Sequence, residues 1–305
     1  MAAALRPGWS KPSTILFASE IPANQKAFAF ALAQASEFGS ELILFHAYDA
    51  SVAAARSEEQ HLEPLAQRAR EAGLLCEVVV RPGLPADEIL AYSREREIDR
   101  IVMGTRSPGS IGKLLVGSVA EAVLRTSSSP VSIIGPDVVE GNDRNFATRT
   151  ILCAISLHPT SAVVAAFAAD LAAQYDARLI LQHVIRPQER AEFLAGRSLD
   201  EVEAGLLELV PAALQGQIAI ETIVVSGDPT EELLYHAHSQ QADLIVVGAQ
   251  GASAFAAVTR HGVVYKILAH THCPVITLSP VVLARYGSKS EKLQPAEAYY
   301  LAGVF

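Results

Sequence analysis

The sequence predicts an α/β fold made of two doubly wound parallel-sheet domains in tandem, and three observations support this prediction. Short apolar runs of strand length alternate with amphipathic segments of helix length. The second half repeats the first at a nearly constant spacing, so that Asp99–Gly104 returns as Asp243–Gly248 and Pro130-Val131 returns as Pro274-Val275. The repeated unit is far longer than a solenoid repeat of roughly 20–50 residues, so each copy should be a domain with its own core.

The first copy should contain five strands joined by four helices. Its first helix, Asn24–Phe38, has Asn24 as its N-cap, apolar residues along one face and Gly39 as the residue that ends it. Pro85 suits the first turn of the third helix, because its φ angle is fixed and it has no N–H group to leave unpaired. The strands are expected at Ser13–Ser19, Glu41–Tyr48, Cys76–Val80, Arg100–Gly104 and Val131–Gly135, and the other helices at Ser57–Glu71, Pro85–Arg96 and from Gly117-Ser118 to Thr126.

The second copy repeats this plan with a longer connection, Arg186–Gly216, after its second strand. Asp137–Arg149 is charged and contains Gly and Asn, so it should be the linker. We therefore divide the chain into domains at residues 1–140 and 148–281 and a tail at 282–305, which should either drape over a domain or be poorly ordered. The second set of strands is expected at Thr150–Ser156, Arg178–Ile185, Ile218–Val225, Leu244–Gly248 and Val275–Leu278, and the helices at Ser161–Tyr175, Ser198–Leu214, Pro229–Gln240 and Gly262–Ala269.

Composition limits the classes of partner. With 305 residues, 50% of them hydrophobic and 19% charged, the chain can bury two cores. The net charge of −9 argues against a broad surface for nucleic acid or an anionic membrane, and no apolar run is long enough to predict a membrane span. Cys76, Cys153 and Cys273 form no C-x-x-C pair and favour reduced thiols, so we expect a cytoplasmic protein.

A ligand site is expected at the carboxyl ends of the strands, where open α/β sheets bind their ligands. After the fourth strand, the first copy has a Gly- and Ser-containing loop that includes Arg106 and Lys113 and ends at Gly117-Ser118, which open a helix. Small residues let backbone N–H groups approach phosphate oxygens, and a helix N-terminus attracts anions. A plain structural turn is the alternative interpretation. The loop matches neither the dinucleotide fingerprint, which would follow the first strand, nor a Walker A motif.

Several stretches resemble the universal stress protein family, over nearly the whole chain up to Pro280. They are Thr14–Ala18, Leu44–His46, Gly83–Ile89, Asp99–Arg106 and Gly117–Leu124 in the first copy, and Gly227–Leu234 and Asp243–Gly248 in the second. The resemblance implies two domains of the adenine nucleotide alpha hydrolase-like type. It also implies that the last strands, Pro130–Ile134 and Pro274–Leu278, pair within one chain as a pseudo-dimer, which removes two exposed sheet edges.

The same resemblance implies a site for ATP, with Mg²⁺ bound through the phosphates. Nucleotide-binding members share a Gly-x2-Gly-x9-Gly-Ser/Thr pattern after the fourth strand; in the first copy Ser107 replaces the second glycine, which weakens the site. Glu20 matches the family's acid beside the adenine and ribose, although a solvated turn residue is the alternative. The implied nucleotide-contacting residues are Glu20, Ala47, Met103, Gly104, Arg106, Ser107, Lys113, Gly117, Ser118 and Val119.

The second copy departs from the pattern at its phosphate end. Gly248 and Gly251 match, but His261-Gly262 stands where the family has Gly-Ser/Thr, and Ser156 replaces the acid. An imidazole would occupy the space where a phosphate approaches. We therefore expect the second copy, with its candidate residues Gly248, Gly251, His261 and Gly262, not to hold ATP in the manner of the family.

The histidines are interpreted as structural or solvated, and we assign no catalytic residue and no metal ligand. His46 and His183 end equivalent strands, where a hydrogen-bonded histidine is expected more than a metal ligand. The i, i+2 pairs formed by His236, His238, His270 and His272 would point to different faces of a helix, so we expect them to be solvated or in loops.

The leading functional hypothesis is a stress-response binding or regulatory module that holds ATP in its first copy. A nucleotide-free interaction scaffold is the alternative, motivated by Ser107, Ser156 and His261. An adenine-nucleotide hydrolase or transferase is the third hypothesis. Any hydrolysis should be slow, because no general base is evident to activate water. The sequence identifies no protein partner and leaves open whether whole chains form a homodimer.

Overall fold

Ten strands form one sheet that runs through both copies of the repeat. The computed structural model describes residues 9–51, 55–105, 117–139, 146–196, 198–248 and 262–287, and every structural statement below concerns these residues. The first half (residues 9–139) contains β1 (Thr14–Ala18), β2 (Glu41–Tyr48), β3 (Cys76–Pro82), β4 (Arg100–Gly104) and β5 (Val131–Ile134). The second half (residues 146–287) contains β6 (Thr150–Ala154), β7 (Arg178–Ile185), β8 (Ile220–Ser226), β9 (Leu244–Gly248) and β10 (Val275–Leu278).

The order across the sheet is β3-β2-β1-β4-β5-β10-β9-β6-β7-β8, so each half has the doubly wound order and the last strands meet in the middle. The pairs within each half are parallel. β5 and β10 are antiparallel, with Ser132 opposite Ile276. The predicted intrachain pseudo-dimer is therefore confirmed, and we call the contact between the two halves the seam.

The helices cover both faces of the sheet. In the first half they are α1 (Gln25–Phe38), α2 (Ala55–Glu71), α3 (Pro85–Glu95) and α4 (Ser118–Thr126). In the second half they are α5 (Ser161–Tyr175), α6 (Arg190–Phe193), α7 (Leu199–Glu208), α8 (Ala212–Gln215), α9 (Pro229–Ser239), α10 (Val263–His270) and α11 (Pro280–Gly287). Among the described residues, no helix is long and apolar enough to cross a membrane.

Side chains of each strand alternate between two buried layers, as expected for a sheet covered on both faces. Ile15 and Phe17 of β1 pack in the layer beneath α1, α2 and α5, whereas Leu16 and Ala18 pack in the layer beneath α3, α4, α9 and α10. Asn24 caps α1 as predicted, since its Oδ1 accepts a hydrogen bond from Ala27 N at 3.0 Å. The sheet thus places the carboxyl ends of β1 and β4 side by side in the interior of the first half.

The predicted helix Ser198–Leu214 was wrong. The structure ends α7 at Glu208 and starts the separate α8 at Ala212. Pro211 explains the break, because it has no N–H to donate and disfavours a helical conformation in the residue before it.

The residues after β10 form a helix that contacts both halves. Pro280–Gly287 forms α11, in which Val282 and Leu283 are buried, and Ser279 Oγ donates a hydrogen bond to Ser127 O of the first half. The helix packs against both α4 and α5. Residues 288–305 lie outside the described part of the chain.

Candidate functional site

The floor of the candidate site lies where β1 and β4 end beside each other in the first half. Ala18 pairs with Met103 in the parallel register of these strands. Ala18, Ala47 and Met103 are all buried in one apolar cluster, against which Val119 of α4 packs. Three of the predicted contact residues, Ala47, Met103 and Val119, therefore belong to the same apolar layer on one face of the sheet.

Gly104 has a packing role that the sequence did not reveal. A Cβ atom at this position would lie within 3.0 Å of the Asn24 side chain. The Asn24 amide is held there by two hydrogen bonds, with Nδ2 donating to Thr105 O at 3.3 Å and Oδ1 accepting from Ala27 N at 3.0 Å. Glycine is thus required at position 104 by the first turn of α1, whatever ligand the site takes.

The end of β1 is fixed by hydrogen bonds to the backbone of Ser19. Ser19 N donates to Phe45 O at 2.8 Å, and the carbonyl oxygen of Ser19 lies 2.8 Å from His46 Nδ1. Ser19 Oγ donates to the carbonyl oxygen of Glu20 at 2.7 Å. Glu20 follows directly and its side chain is exposed at the carboxyl edge of the sheet, so it can reach a ligand there.

His46 is a hydrogen-bonded strand-end residue, as predicted, and it has a second partner. Because Nδ1 faces the carbonyl of Ser19, Nδ1 is the donor, and Nε2 lies 3.4 Å from Glu58 Oε2 of α2. Glu58 is only 9% exposed, although it lies in a helix rich in glutamates. The signal that could have found it is its position one helical turn from the buried Leu62.

The phosphate end of the candidate site begins at α4. Gly117 is the N-cap, in an extended conformation (φ −62°, ψ 154°), and no side chain caps the helix within the described residues. Ser118 is exposed in the first turn. Within the described residues, the first backbone N–H groups of α4 therefore donate to no N-cap side chain, which is the arrangement of an anion-binding helix N-terminus. Arg106, Ser107 and Lys113 lie outside the described residues, so the structure does not place them.

The equivalent edge of the second half is closed by its own side chains. His183 Nδ1 lies 2.8 Å from Ile155 O, so this histidine is also a hydrogen-bonded strand-end residue. Its ring packs on that of Phe193 in α6, with the centroids 5.3 Å apart, and burial lowers the pKa of His183. Ser156, at the position of Glu20, lies with its Oγ 3.5 Å from Ser161 Oγ. This edge therefore has Ser156 instead of an acid at the position of Glu20, and the ring of Phe193 covers that of His183.

Gly262 is the N-cap of α10 and, like Gly117, offers no capping side chain (φ −78°, ψ 159°). Gly248 ends β9, next to the buried Val247. Gly251 and His261 lie outside the described residues. In the second half, the structure therefore places the glycine at the strand end and the glycine at the helix start as in the first half. It does not test the predicted obstruction by His261.

The histidines of the two i, i+2 pairs do not share one site; these are His236, His238, His270 and His272. His236 Nδ1 lies 2.8 Å from Glu232 O one turn earlier in α9, and the rings of His238 and His272 are 5.7 Å apart. Burial lowers the pKa of His272. In the part of the chain that is described, no three His, Cys, Asp or Glu side chains are placed to hold a metal ion.

Comparison with known proteins assigns both halves to one family. The sequence profile described as the universal stress protein family matches residues 13–135 and again residues 147–279. A universal stress protein of Mycolicibacterium smegmatis is 26% identical over 218 residues, which are 68% of this chain and 70% of that protein. Universal stress protein Rv2005c of Mycobacterium tuberculosis is 27% identical over 202 residues, or 63% of this chain and 65% of that protein.

A solved structure supports the fold over both halves. A universal stress protein from Archaeoglobus fulgidus superposes with a TM-score of 0.66 and 20% identity, and covers 89% of this chain and 97% of that one. At this level of identity the likeness concerns the fold, which agrees with the ten-stranded sheet described above. Because the family profile matches twice and accounts for most of the sequence, the chain belongs to the universal stress protein family and carries two of its domains in tandem.

Proposed function

We propose that this universal stress protein is a cytoplasmic binding module of the stress response whose first half binds an adenine nucleotide, with Mg²⁺ held by the nucleotide phosphates. The observation that carries the proposal is the start of α4 at Gly117, an N-cap without a side chain, in the half where Ala18 and Met103 pair as apolar residues near the ends of β1 and β4. The cytoplasm is the compartment in which the thiols of Cys76, Cys153 and Cys273, all free in the structure, stay reduced.

Each part of a nucleotide has a matching group at this edge. Ala47 and Met103 offer an apolar surface to the adenine, and the exposed carboxylate of Glu20 can accept a hydrogen bond from a ribose hydroxyl. The N–H groups of Ser118 and Val119 can donate to phosphate oxygens, where the helix dipole also favours negative charge. Arg106 and Lys113 supply positive charge on sequence grounds alone.

The proposal includes at most slow hydrolysis of the nucleotide. His46 lies at the same edge, but its Nδ1 is bound to Ser19 O and its Nε2 faces Glu58, so the ring is engaged on both nitrogens. A general base needs a free nitrogen within hydrogen-bond reach of the attacking water. We therefore assign the first half a binding role, in which the nucleotide state changes the surface that the protein presents.

Calorimetric titration with Mg-ATP tests the proposal. Gly117→Asp keeps a good N-cap for α4 but places a carboxylate where the phosphates should bind, whereas Gly117→Asn keeps the size and the cap without the charge. We expect Asp to weaken binding by at least about tenfold, equivalent to about 1.4 kcal/mol, and Asn to weaken it much less. No heat of binding by the wild type into the millimolar range, or equal losses for both variants, would refute the assignment.

The nucleotide-free scaffold is the second candidate, and one observation favours it. The Asn24 amide fills the space beside Gly104 and bonds to Thr105 O, so that part of the motif serves packing within the first half. The scaffold alternative predicts that wild type and both Gly117 variants give the same blank titration.

A further inference from the structure

The seam has aromatic contacts that are made twice, once from each half. Trp9, shortly before β1, packs edge-on against Phe167 of α5, with ring centroids 5.1 Å apart. Phe146, shortly before β6, packs edge-on against Phe30 of α1, with centroids 5.4 Å apart. Each contact joins a residue before the first strand of one half to the first helix of the other. The seam therefore has the reciprocal geometry of a two-fold symmetric dimer interface.

On one side of its two-fold axis, the seam contains a connected set of polar residues that the symmetry-related side lacks. We call Arg100, Gln34, Ser10, Tyr175 and Asp170 the polar set. The guanidinium of Arg100 in β4 is 1% exposed; its Nη1 donates to Gln34 Oε1 at 3.2 Å and its Nη2 to Ser10 O at 2.6 Å. Gln34 Nε2 in turn donates to the hydroxyl oxygen of Tyr175 in the second half at 3.0 Å. Burial lowers the pKa of Arg100 to about 10, so the group remains a cation at neutral pH.

The charge of Arg100 is linked to an acid of the other half through one peptide unit. Asp170 of α5 is 2% exposed, and its Oδ2 accepts a hydrogen bond from Ser10 N at 2.9 Å. Ser10 therefore binds the cation of the first half through its carbonyl and the acid of the second half through its N–H. Within the described part of the chain, no carboxylate lies within 4.0 Å of the guanidinium, and Arg100 Nε has no hydrogen-bond partner.

The repeat shows what the other side of the seam has at the same positions. Arg100 of β4 corresponds to Leu244 of β9, because Asp99 and Asp243 precede them in equivalent places. The helices α1 and α5 align through their last residues, Phe38 and Tyr175. In that alignment, Gln34 corresponds to Leu171 and Asp170 corresponds to Ala33. The positions equivalent to Arg100, Gln34 and Asp170 on the other side of the seam are therefore all apolar.

We propose that this one-sided polar set makes the two halves complementary to each other and incompatible with a second copy of themselves. If the first half paired with another first half through the same symmetry, Arg100 would face Ala33 and Phe38 where Asp170 and Tyr175 now stand. Each guanidinium would keep Gln34 and Ser10 of its own half, but two cations would be buried without the acid that now faces each of them across Ser10, which is strongly unfavourable. Pairing of two second halves would bury Asp170 near Leu244. The set thus selects the pairing of a first half with a second half over a dimer in which two chains pair first half with first half and second half with second half.

A cysteine on the symmetry axis of the seam reports the pairing of like halves. Ser132 lies opposite Ile276, and these are equivalent positions of the repeat. In a dimer that pairs like halves, residue 132 of one chain would lie opposite residue 132 of the other, at a strand spacing of about 4.5–5.5 Å that allows a disulfide. Ser132→Cys is a conservative change, because Ser132 is fully buried and its hydroxyl has no hydrogen-bond partner.

The full-length Ser132→Cys protein is unfolded in urea, refolded over a range of protein concentrations, oxidised and analysed on a non-reducing gel. We expect few linked dimers when Arg100 and Asp170 are present. In the Arg100→Leu/Asp170→Ala variant, both sides of the seam have the same apolar residues at these positions. We expect this variant to give a several-fold larger linked fraction, which rises with protein concentration. The same proteins with Ser132 retained control for linkage through Cys76, Cys153 and Cys273.

Equal linked fractions with and without the two substitutions would overturn the proposal. If the Arg100→Leu/Asp170→Ala protein fails to recover its far-UV circular dichroism, Asp170→Asn replaces it, because Asn keeps the size and the acceptor for Ser10 N. This variant loses only the charge, so we expect a smaller but measurable increase in the linked fraction. No increase with Asp170→Asn would equally overturn the proposal.

Discussion

At the scale of single residues, the repeat supplies pairs of positions with the same backbone and different side chains. The N-cap of α3 is Leu84 (φ −73°, ψ 125°), and that of α9 is Asp228 (φ −74°, ψ 125°). Asp228 Oδ1 accepts hydrogen bonds from Glu231 N at 3.1 Å and Thr230 N at 2.8 Å, which lower the pKa of its carboxyl. Leu84 is 71% exposed and caps nothing. The two helices therefore differ in one side-chain N-cap, which a single substitution can add to α3 or remove from α9.

We predict that Leu84→Asp stabilises the protein and that Asp228→Leu destabilises it, each by about 1 kcal/mol in the free energy of unfolding. Urea denaturation followed by circular dichroism measures both effects. Asp228→Asn is the control, because Asn is as good an N-cap as Asp and should change the stability by only a few tenths of a kcal/mol. A shift of Leu84→Asp and Asp228→Leu in the same direction would contradict the cap interpretation.

Residues at the site divide into those that a sequence can indicate and those that need the fold. The strand-end roles of His46 and His183 follow from equivalent positions in apolar strands, and both are confirmed. The burial of Glu58 could be found from its place one helical turn from Leu62, but its contact with His46 could not, because a different element brings that histidine to it. The same holds for Gly104, whose neighbour Asn24 comes from the start of α1.

At the scale of elements, the two halves fill the space between a strand and a helix differently. In the first half, Phe45 of β2 packs on Tyr92 of α3 with ring centroids 5.2 Å apart. The equivalent residues of the second half are Gln182 of β7 and His236 of α9, with Gln182 Nε2 3.1 Å from His236 Nδ1. That nitrogen also lies 2.8 Å from Glu232 O, which requires a donor, and it cannot donate and accept at once. Gln182 Oε1 has no partner among the described residues, so a buried polar group is left unsatisfied.

Replacing this polar pair with an aromatic one should stabilise the second half. We predict that Gln182→Phe together with His236→Phe raises the free energy of unfolding by about 1–3 kcal/mol, the usual cost of a buried unsatisfied group. Each single change should give less than half of this, because it leaves one polar partner behind. Urea denaturation of the four proteins in the cycle measures the effect. The same stability for the pair and the wild type would show that the polar groups are satisfied in solution.

Element boundaries were predictable where one local rule decides them. The strands have long apolar runs between Gly, Asn and Pro residues, and the structure places all ten close to the predicted positions. The helix predicted at Ser198–Leu214 was wrong although its signal, Pro211, was visible, because the amphipathic pattern continues on both sides of the proline. The closure of His183 by Phe193 of α6 was not predictable, since it depends on how a long connection folds back.

At the scale of the whole molecule, one fold is used twice, and its two copies have diverged at the carboxyl edge of the sheet, where the candidate site lies, and where they meet each other. The carboxyl edge of the first half keeps Glu20 and the open start of α4, whereas that of the second half has Ser156 and the Phe193 cover. The two-domain organisation followed from the repeated sequence, and the pseudo-dimer was an implication of its resemblance to the universal stress protein family. Which copy takes a ligand depends on side chains that the repeat does not preserve.

Hydrogen–deuterium exchange with and without Mg-ATP, resolved by peptide, compares the two copies in one experiment. We predict that ATP slows exchange at the start of α4, residues 117–120, where backbone N–H groups should bind phosphates. We predict no comparable change at the start of α10, residues 262–265, which serves as the internal control in the same experiment. Protection of both helix starts to the same extent, or of neither at saturating Mg-ATP, would contradict the claim that the first half alone holds the nucleotide in this way.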